Sequence, residues 1–200
     1  MKKLLLTSEG LSNQNIRNEF LDLLEKPASE TRIVIITTGS RTEEELKYVE
    51  ESKEELIETG IKRENIKTLD LKHKIIYGDV ERFDAIYFCG GNTFFILHKV
   101  RENGFDKVIE RFVNEGKLYI GVSAGSIIMS PSIVTSSDEN NIGIKDLTGL
   151  KLVDVLIVPH YNEDKKSIIE EYRKKLSYEI VSLTDNQALV VKNGKMEIVE

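Results

Sequence analysis

The feature of this sequence that most constrains its fold is an alternation of short apolar runs with longer stretches of helical periodicity. The run at 32–38 is continuous and β-branched, which is typical of a strand buried on both faces. The stretch at 13–25 has apolar residues at helical spacing, and Thr42 with Glu45 forms the capping-box pattern of a helix start. This alternation predicts a single α/β domain over 1–200, with a mostly parallel sheet and helices on both faces.

The remaining elements are predicted from the same two periodicities. Further strands are expected at 3–7, 66–71, 85–89, 117–122 and 154–159, and further helices at 93–102, 106–114 and 165–176. The helix that starts at Thr42 should end near Gly60 and turn these residues inward: Leu46, Val49, Leu56 and Ile57. The runs 187–192 and 196–199, joined by Asn193-Gly194, predict a C-terminal antiparallel hairpin. The polar stretch 136–150 is expected to be a long loop, and long loops in compact domains are often functional.

Composition narrows the classes of partner and compartment. The 28 Lys and Arg residues against 34 Asp and Glu residues give a net charge of −6, so general attraction to nucleic acid or an anionic membrane is not expected. The single cysteine, Cys89, cannot form an intrachain disulfide. The apolar run near Met1 is too short for a signal peptide, and no stretch approaches the roughly 18 residues of a membrane span. We therefore expect a cytoplasmic monomer or homodimer.

The most informative motif is Gly121-Val122-Ser123-Ala124-Gly125. A predicted strand runs directly into it, and an apolar helical pattern continues from it through Met129, which is the context of a nucleophile elbow. Such a turn is tight, so small residues must flank the serine, and the N-terminus of the next helix favours developing negative charge. The alternative is a glycine-rich turn in which Ser123 only caps the helix.

A nucleophilic serine needs a base and an orienting carboxylate. His160 comes directly after the strand at 154–159, which should bring it to the same edge of the sheet as Ser123. Two carboxylates are candidates for the third role, Asp138 in the polar loop and Asp185 before the last strands. Either one could instead be a turn residue that caps its own backbone, and spacing does not choose between them.

The segment Gly90-Gly91-Asn92-Thr93 lies at the end of another predicted strand. Acyl transfer requires donors for the oxyanion, and the N–H groups of Ala124 and Gly91 are the candidates. Gly90, Asn92 and Thr93 are expected to bind substrate, although Asn92 or Thr93 could also cap the next helix. Cys89 is interpreted as a buried strand residue rather than a thiol nucleophile. No metal or organic cofactor is required by this chemistry.

Three motifs in order resemble the aspartyl dipeptidase (dipeptidase E) and cyanophycinase family of serine peptidases: 89–93, 121–126 and 158–160. The resemblance implies a flavodoxin-like or class I glutamine amidotransferase-like fold, with Ser123 as nucleophile and His160 as base. The segment 129–138 resembles the family segment whose final aspartate is assigned to the charge relay, and Asp185 falls where dipeptidase members carry a glutamate. The resemblance therefore keeps both carboxylates as candidates.

One departure from the family pattern concerns specificity. Dipeptidase members carry an arginine after the histidine that reads an N-terminal aspartate, whereas the segment 162–167 contains no arginine. Lys166 and Arg173 are nearby cations, but a lysine is a point charge and not a planar fork. The predicted function is hydrolysis of small peptides through an acyl-enzyme, with uncertain N-terminal specificity. The alternatives are an esterase or amidase on the same scaffold and a catalytically silent binding protein.

Overall fold

The computed structural model describes residues 2–200. The strands are β1 (Lys3–Thr7), β2 (Ile33–Ile36), β3 (Ile66–Leu69), β4 (Ala85–Phe88), β5 (Leu118–Val122), β6 (Val155–Val158), β7 (Glu179–Ser182), β8 (Ala188–Lys192) and β9 (Lys195–Val199). The helices are α1 (Gln14–Leu23), α2 (Glu43–Glu58), α3 (Tyr77–Val80), α4 (Thr93–Glu102), α5 (Phe105–Asn114), α6 (Ala124–Ile127) and α7 (Lys166–Lys175). Among these residues, no helix is both long and apolar enough to cross a bilayer.

The main sheet has seven strands in the order β3-β2-β4-β5-β1-β8-β9. The first five are mutually parallel, and β8 and β9 add an antiparallel pair beside β1. Leu5 of the central strand β1 pairs with Ile120 on one side and with Val190 on the other. The prediction of a mostly parallel sheet with a C-terminal antiparallel hairpin is confirmed.

The two faces of the sheet carry separate cores because strand side chains alternate between faces. Leu4 and Leu6 of β1 face a core closed by α3, α4 and α5, whereas Leu5 faces a core closed by α1 and α2. The prediction that Leu46 is buried is wrong, since Leu46 is 50% exposed. The first turns of α2 lie beyond the strand ends, where Glu45 and Tyr48 line a cavity instead of packing on the sheet.

A second, two-stranded parallel sheet consists of β6 and β7 and packs with α7 through its own small core. The prediction that the strand before His160 belongs to the same sheet as Ser123 is therefore wrong. Strand β7 has no counterpart in the predicted elements, because its four residues carry neither a continuous apolar run nor a clean alternation. Ser123 and His160 thus extend from two different sheets.

The stretch 136–150 forms the expected long connection, without a helix or a strand. Its side chains nevertheless pack on the main core through Ile144, Leu147 and Leu150. The guanidinium of Arg101 on α4 donates to the carbonyl of Asp146, which fastens the loop to that helix. The loop is therefore held in place, and it carries Asp138 to the start of α4.

Candidate active site

Ser123 lies in a strained turn at the end of β5. Its backbone angles are φ 50° and ψ −110°, in the left-handed half of conformational space that a residue with a side chain seldom adopts. Two glycines make the turn sterically possible. A Cβ on Gly121 would lie 2.5 Å from the carbonyl oxygen of Gly125, and a Cβ on Gly125 would lie 2.5 Å from that of Phe88. The strained turn projects the Ser123 side chain beyond the strand ends.

The helix after Ser123 is shorter than the apolar pattern through Met129 predicts. It is the single turn α6, because the carbonyls of Ile128 and Met129 accept hydrogen bonds from Leu150 and Leu152 instead of continuing a helical ladder. The helix N-terminus beside Ser123 therefore belongs to a single turn. The N–H of Ala124, the first residue of α6, has no intrahelical partner and remains an available donor.

His160 contacts Ser123 directly, with 2.9 Å between its Nε2 and the serine Oγ. It lies just beyond β6 and also has a positive φ, 54°, so its ring is turned back towards the main sheet. The other ring nitrogen, Nδ1, lies 2.6 Å from Oδ1 of Asp185. The small sheet therefore supplies the histidine, and the main sheet supplies the serine.

The two candidate carboxylates occupy different places. Asp185 contacts His160 Nδ1, whereas the hydrogen bonds of Asp138 go to other groups. The Asp138 Oδ2 accepts from the Thr93 N–H at 2.7 Å, from the Thr93 hydroxyl at 2.6 Å and from the Ser136 hydroxyl at 3.0 Å. Asp138 thereby caps the first turn of α4. The alternative in which Asp138 orients His160 does not match this geometry.

Ser8 is a member of the site that the sequence patterns did not predict. Its side chain is fully buried, and its hydroxyl donates to Asp185 Oδ1 at 2.8 Å. The Ser8 Oγ also accepts a hydrogen bond from the backbone N–H of His160 at 2.7 Å. One hydroxyl thus holds both the histidine backbone and the carboxylate. The available signal was its position directly after β1, at the same edge of the sheet as Ser123.

The electrostatics of Asp185 favour its ionised form. Partial burial acts to raise its pKa, but the hydrogen bonds from Ser8 and His160, together with the charges of His160 and Lys165, outweigh it and hold the pKa below the ordinary aspartate value. A carboxylate that stays ionised can accept a hydrogen bond from the Nδ1–H of His160. That hydrogen bond leaves Nε2 facing Ser123 as the acceptor.

The segment after β4 approaches Ser123 closely. A Cβ on Gly90 would lie 3.4 Å from the Cβ of Ser123, so this strand end borders the nucleophile. Gly91 has a φ of 129° and packs against the backbone of Gly39, which leaves no space for a side chain. Within residues 2–200, neither the Gly91 N–H nor the Ala124 N–H donates to another backbone carbonyl.

Of the residues expected to bind substrate, Gly90 and Asn92 line the cavity in front of Ser123 and Thr93 does not. Thr93 is fully buried and its hydroxyl is bonded to Asp138, so it is not accessible to a ligand. Asn92 accepts from the Phe95 N–H as the N-cap of α4. Its amide also donates to the Glu139 carbonyl, so both polar ends of Asn92 hold protein structure.

The cavity in front of Ser123 has a volume of about 780 Å³. Cys89 is among its lining residues; the residue is 5% exposed, and burial raises the pKa of its thiol to about 12. The thiol is therefore neutral at ordinary pH, which fits a buried strand residue and not a nucleophile. The other histidines, His73 and His98, are exposed and do not line the cavity.

Comparison with known proteins finds one matching family model and relatives that are named as peptidases. The model for peptidase family S51 matches residues 4–199. An uncharacterized peptidase of Listeria monocytogenes is 32% identical over 205 residues, covering 98% of this chain and 97% of that protein. A peptidase E of a Nostoc species is 31% identical over 166 residues, covering 80% of this chain and 66% of the relative.

Solved structures agree with this relationship. A Listeria monocytogenes crystal structure, provisionally assigned as a peptidase E protein, superposes with a TM-score of 0.83 at 30% identity and covers 100% of this chain and 98% of that one. A peptidase from an acI-B1 actinobacterium shares the fold, with a TM-score of 0.70 at 18% identity. The chain belongs to peptidase family S51, and it is a serine peptidase.

Proposed function

We propose that the protein hydrolyses small peptides, dipeptides among them, through an acyl-enzyme on Ser123. The observation that carries this proposal is the continuous hydrogen-bonded chain from Ser123 through His160 to Asp185, with contacts of 2.9 Å and 2.6 Å. A serine hydroxyl at its ordinary pKa is a weak nucleophile, so a base within hydrogen-bond distance is the feature that gives it reactivity.

In the first half-reaction, Ser123 Oγ attacks the peptide carbonyl while its proton moves to His160 Nε2. The oxyanion of the tetrahedral intermediate accepts hydrogen bonds from the N–H groups of Gly91 and Ala124. His160 then gives its proton to the departing amine, and the carbon–nitrogen bond breaks. Asp185 stabilises the charged imidazole and holds its orientation throughout.

In the second half-reaction, a water molecule gives its proton to His160 Nε2 and attacks the Ser123 ester. Collapse of the second intermediate releases the acid and returns the proton to Ser123 Oγ. The cavity of about 780 Å³ fits a small substrate, which supports short peptides over folded proteins. Relatives named peptidase E support peptide bonds as the target of the reaction.

Steady-state hydrolysis of dipeptides and tetrapeptides, measured beside p-nitrophenyl acetate, tests the proposal. We expect peptide turnover by the unmodified protein, and a loss of kcat/KM of roughly 10⁴-fold or more in Ser123→Ala and in His160→Ala. Ester turnover without peptide turnover would favour the esterase alternative instead. Unchanged peptide hydrolysis in folded Ser123→Ala would contradict the proposed nucleophile.

A further inference from the structure

The charged groups that line the cavity in front of Ser123 are carboxylates. They come from the loop after β1, from α2 and from the long loop that contacts the start of α4, and they are Glu9, Glu45, Glu51, Glu55 and Asp138. No lysine or arginine is among the described residues that line this cavity. A ligand is indicated independently of these carboxylates, because Ser123 and His160 open into the same cavity.

Helix α2 forms one wall of the cavity. Glu45, Tyr48, Ser52 and Glu55 recur at intervals of three and four residues, so they share one helical face. Glu55 is fixed in place, since its Oε2 accepts from the Leu11 N–H at 3.0 Å. Burial raises the pKa of Glu55 and the Leu11 hydrogen bond opposes that rise.

The carboxylates differ in how much of their charge is already compensated. Asp138 is bonded to Thr93 and Ser136, and Glu45 accepts from the N–H groups of Arg41 and Thr42. Within residues 2–200, Glu9 and Glu51 form neither an ion pair nor a side-chain hydrogen bond. Glu9 comes directly after Ser8, which contacts His160 and Asp185. A carboxylate without an ion pair or hydrogen bond therefore lies next in sequence to a residue of the active site.

Most of the neighbouring cations are engaged elsewhere. The exception is Lys47, which lies four residues before Glu51 on α2, lines the adjoining cavity with it and forms no ion pair within residues 2–200. Lys53 pairs with Glu50 at 2.6 Å and Arg17 pairs with Glu58 at 2.9 Å. The Arg41 guanidinium stacks on the Phe95 ring, 4.3 Å from its centroid, and Lys165 donates to the Pro159 carbonyl. The cavity therefore keeps a negative potential, which favours a positively charged ligand and repels an acidic one.

We propose that the cavity selects peptides with a lysine or arginine side chain on the acyl side of the cleaved bond, with Glu9 and Glu51 as the specificity-determining residues. The proposal rests on the proposed peptidase function and names its substrate class. An N-terminal aspartate, in contrast, would bring its carboxylate into a cavity that already contains five. The missing arginine at 162–167 is consistent with this charge preference.

The test compares dipeptides that differ in side-chain charge and are closely matched in shape, with norleucine one heavy atom shorter than lysine. Arg-Ala is measured against citrulline-Ala, Lys-Ala against norleucine-Ala, and Asp-Ala against Asn-Ala, all with a free amino terminus. Because the amino terminus is common to every pair, its own attraction to the cavity cancels. We expect kcat/KM to be higher by about tenfold for each basic peptide and lower for Asp-Ala, since a tenfold ratio corresponds to about 1.4 kcal/mol.

Variants of the cavity carboxylates test which residues produce the preference for basic peptides. Glu9→Gln combined with Glu51→Gln should remove most of the ratio of kcat/KM for Arg-Ala to that for citrulline-Ala, both values being measured on the same variant. Glu43→Gln is the matched control, because Glu43 is also on α2 and exposed but does not line this cavity. The control should leave the ratio unchanged.

Three outcomes count against the inference, and they are distinguishable. If neutral dipeptides are hydrolysed through Ser123 but basic ones show no advantage, the charge selection is wrong and the peptidase proposal stands. If the folded protein hydrolyses none of the peptides, both proposals fail. A basic preference that survives unchanged in the double variant would contradict the roles of Glu9 and Glu51.

Discussion

At the scale of single residues, Ser8 shows how one buried hydroxyl organises two other groups. It accepts from the His160 backbone N–H, which fixes a residue with a positive φ, and it donates to Asp185. Neither contact touches the atoms that react, so Ser8 is a positioning residue. Its effect on the reaction passes through the orientation of the imidazole and through the charge of the carboxylate.

Replacing Ser8 with alanine is expected to lower kcat/KM by about 10- to 100-fold, since a hydrogen bond to a charged group contributes about 1.5–3 kcal/mol. The Ser8 hydroxyl lowers the pKa of Asp185, so its loss raises that pKa. The titration of the Asp185 carboxyl group, followed by carbon-13 NMR, should therefore move to higher pH in Ser8→Ala. A lower rate with an unmoved Asp185 titration would indicate a structural role only.

At the scale of elements, the site depends on where the strands end and on which residues come immediately after them. Strands β1, β4 and β5 end beside one another and present Ser8, the Gly90-Gly91 pair and Ser123 at one edge of the sheet. Helix α4 begins at this edge, and its first turn is capped by Asp138 from the long loop. Asp138 therefore links the loop to the site without contacting His160.

A comparison of the two aspartates tests this division of roles. We expect Asp138→Ala to lower the free energy of unfolding by about 1 kcal/mol, as for other lost helix caps, and to change kcat/KM by less than about tenfold. Asp185→Ala should instead lower kcat by roughly 10³-fold or more. Chemical denaturation and steady-state kinetics of the two variants give both quantities. The reverse pattern, with the larger catalytic loss in Asp138→Ala, would restore Asp138 as the orienting carboxylate.

At the scale of the whole molecule, two sheets converge on one cavity. The main sheet could be predicted because its strands are continuous apolar runs, and the elbow could be predicted because Gly121 and Gly125 leave room for a tight turn. The small sheet could not, since β7 lacks a periodic signal and the pairing of β6 with β7 is a long-range contact.

The residues of the site also divide into those that a local motif predicts and those that depend on long-range contacts. Ser123 and His160 stand in recognisable motifs, and the structure brings them within 2.9 Å of each other. The choice between Asp138 and Asp185 depends on how the small sheet and the loop fold back, and local spacing carries no information about that. Ser8 could not be predicted for a similar reason, because a serine at a strand end becomes informative only when its partners are known.

The most direct test of the central claim is covalent labelling by a fluorophosphonate, located by mass spectrometry of the digested protein. The account predicts a single adduct on the peptide that contains Ser123, its absence in Ser123→Ala, and much slower labelling in His160→Ala because the base is missing. Absence of labelling in the folded protein, or an adduct at another residue while Ser123→Ala still hydrolyses peptides, would contradict it.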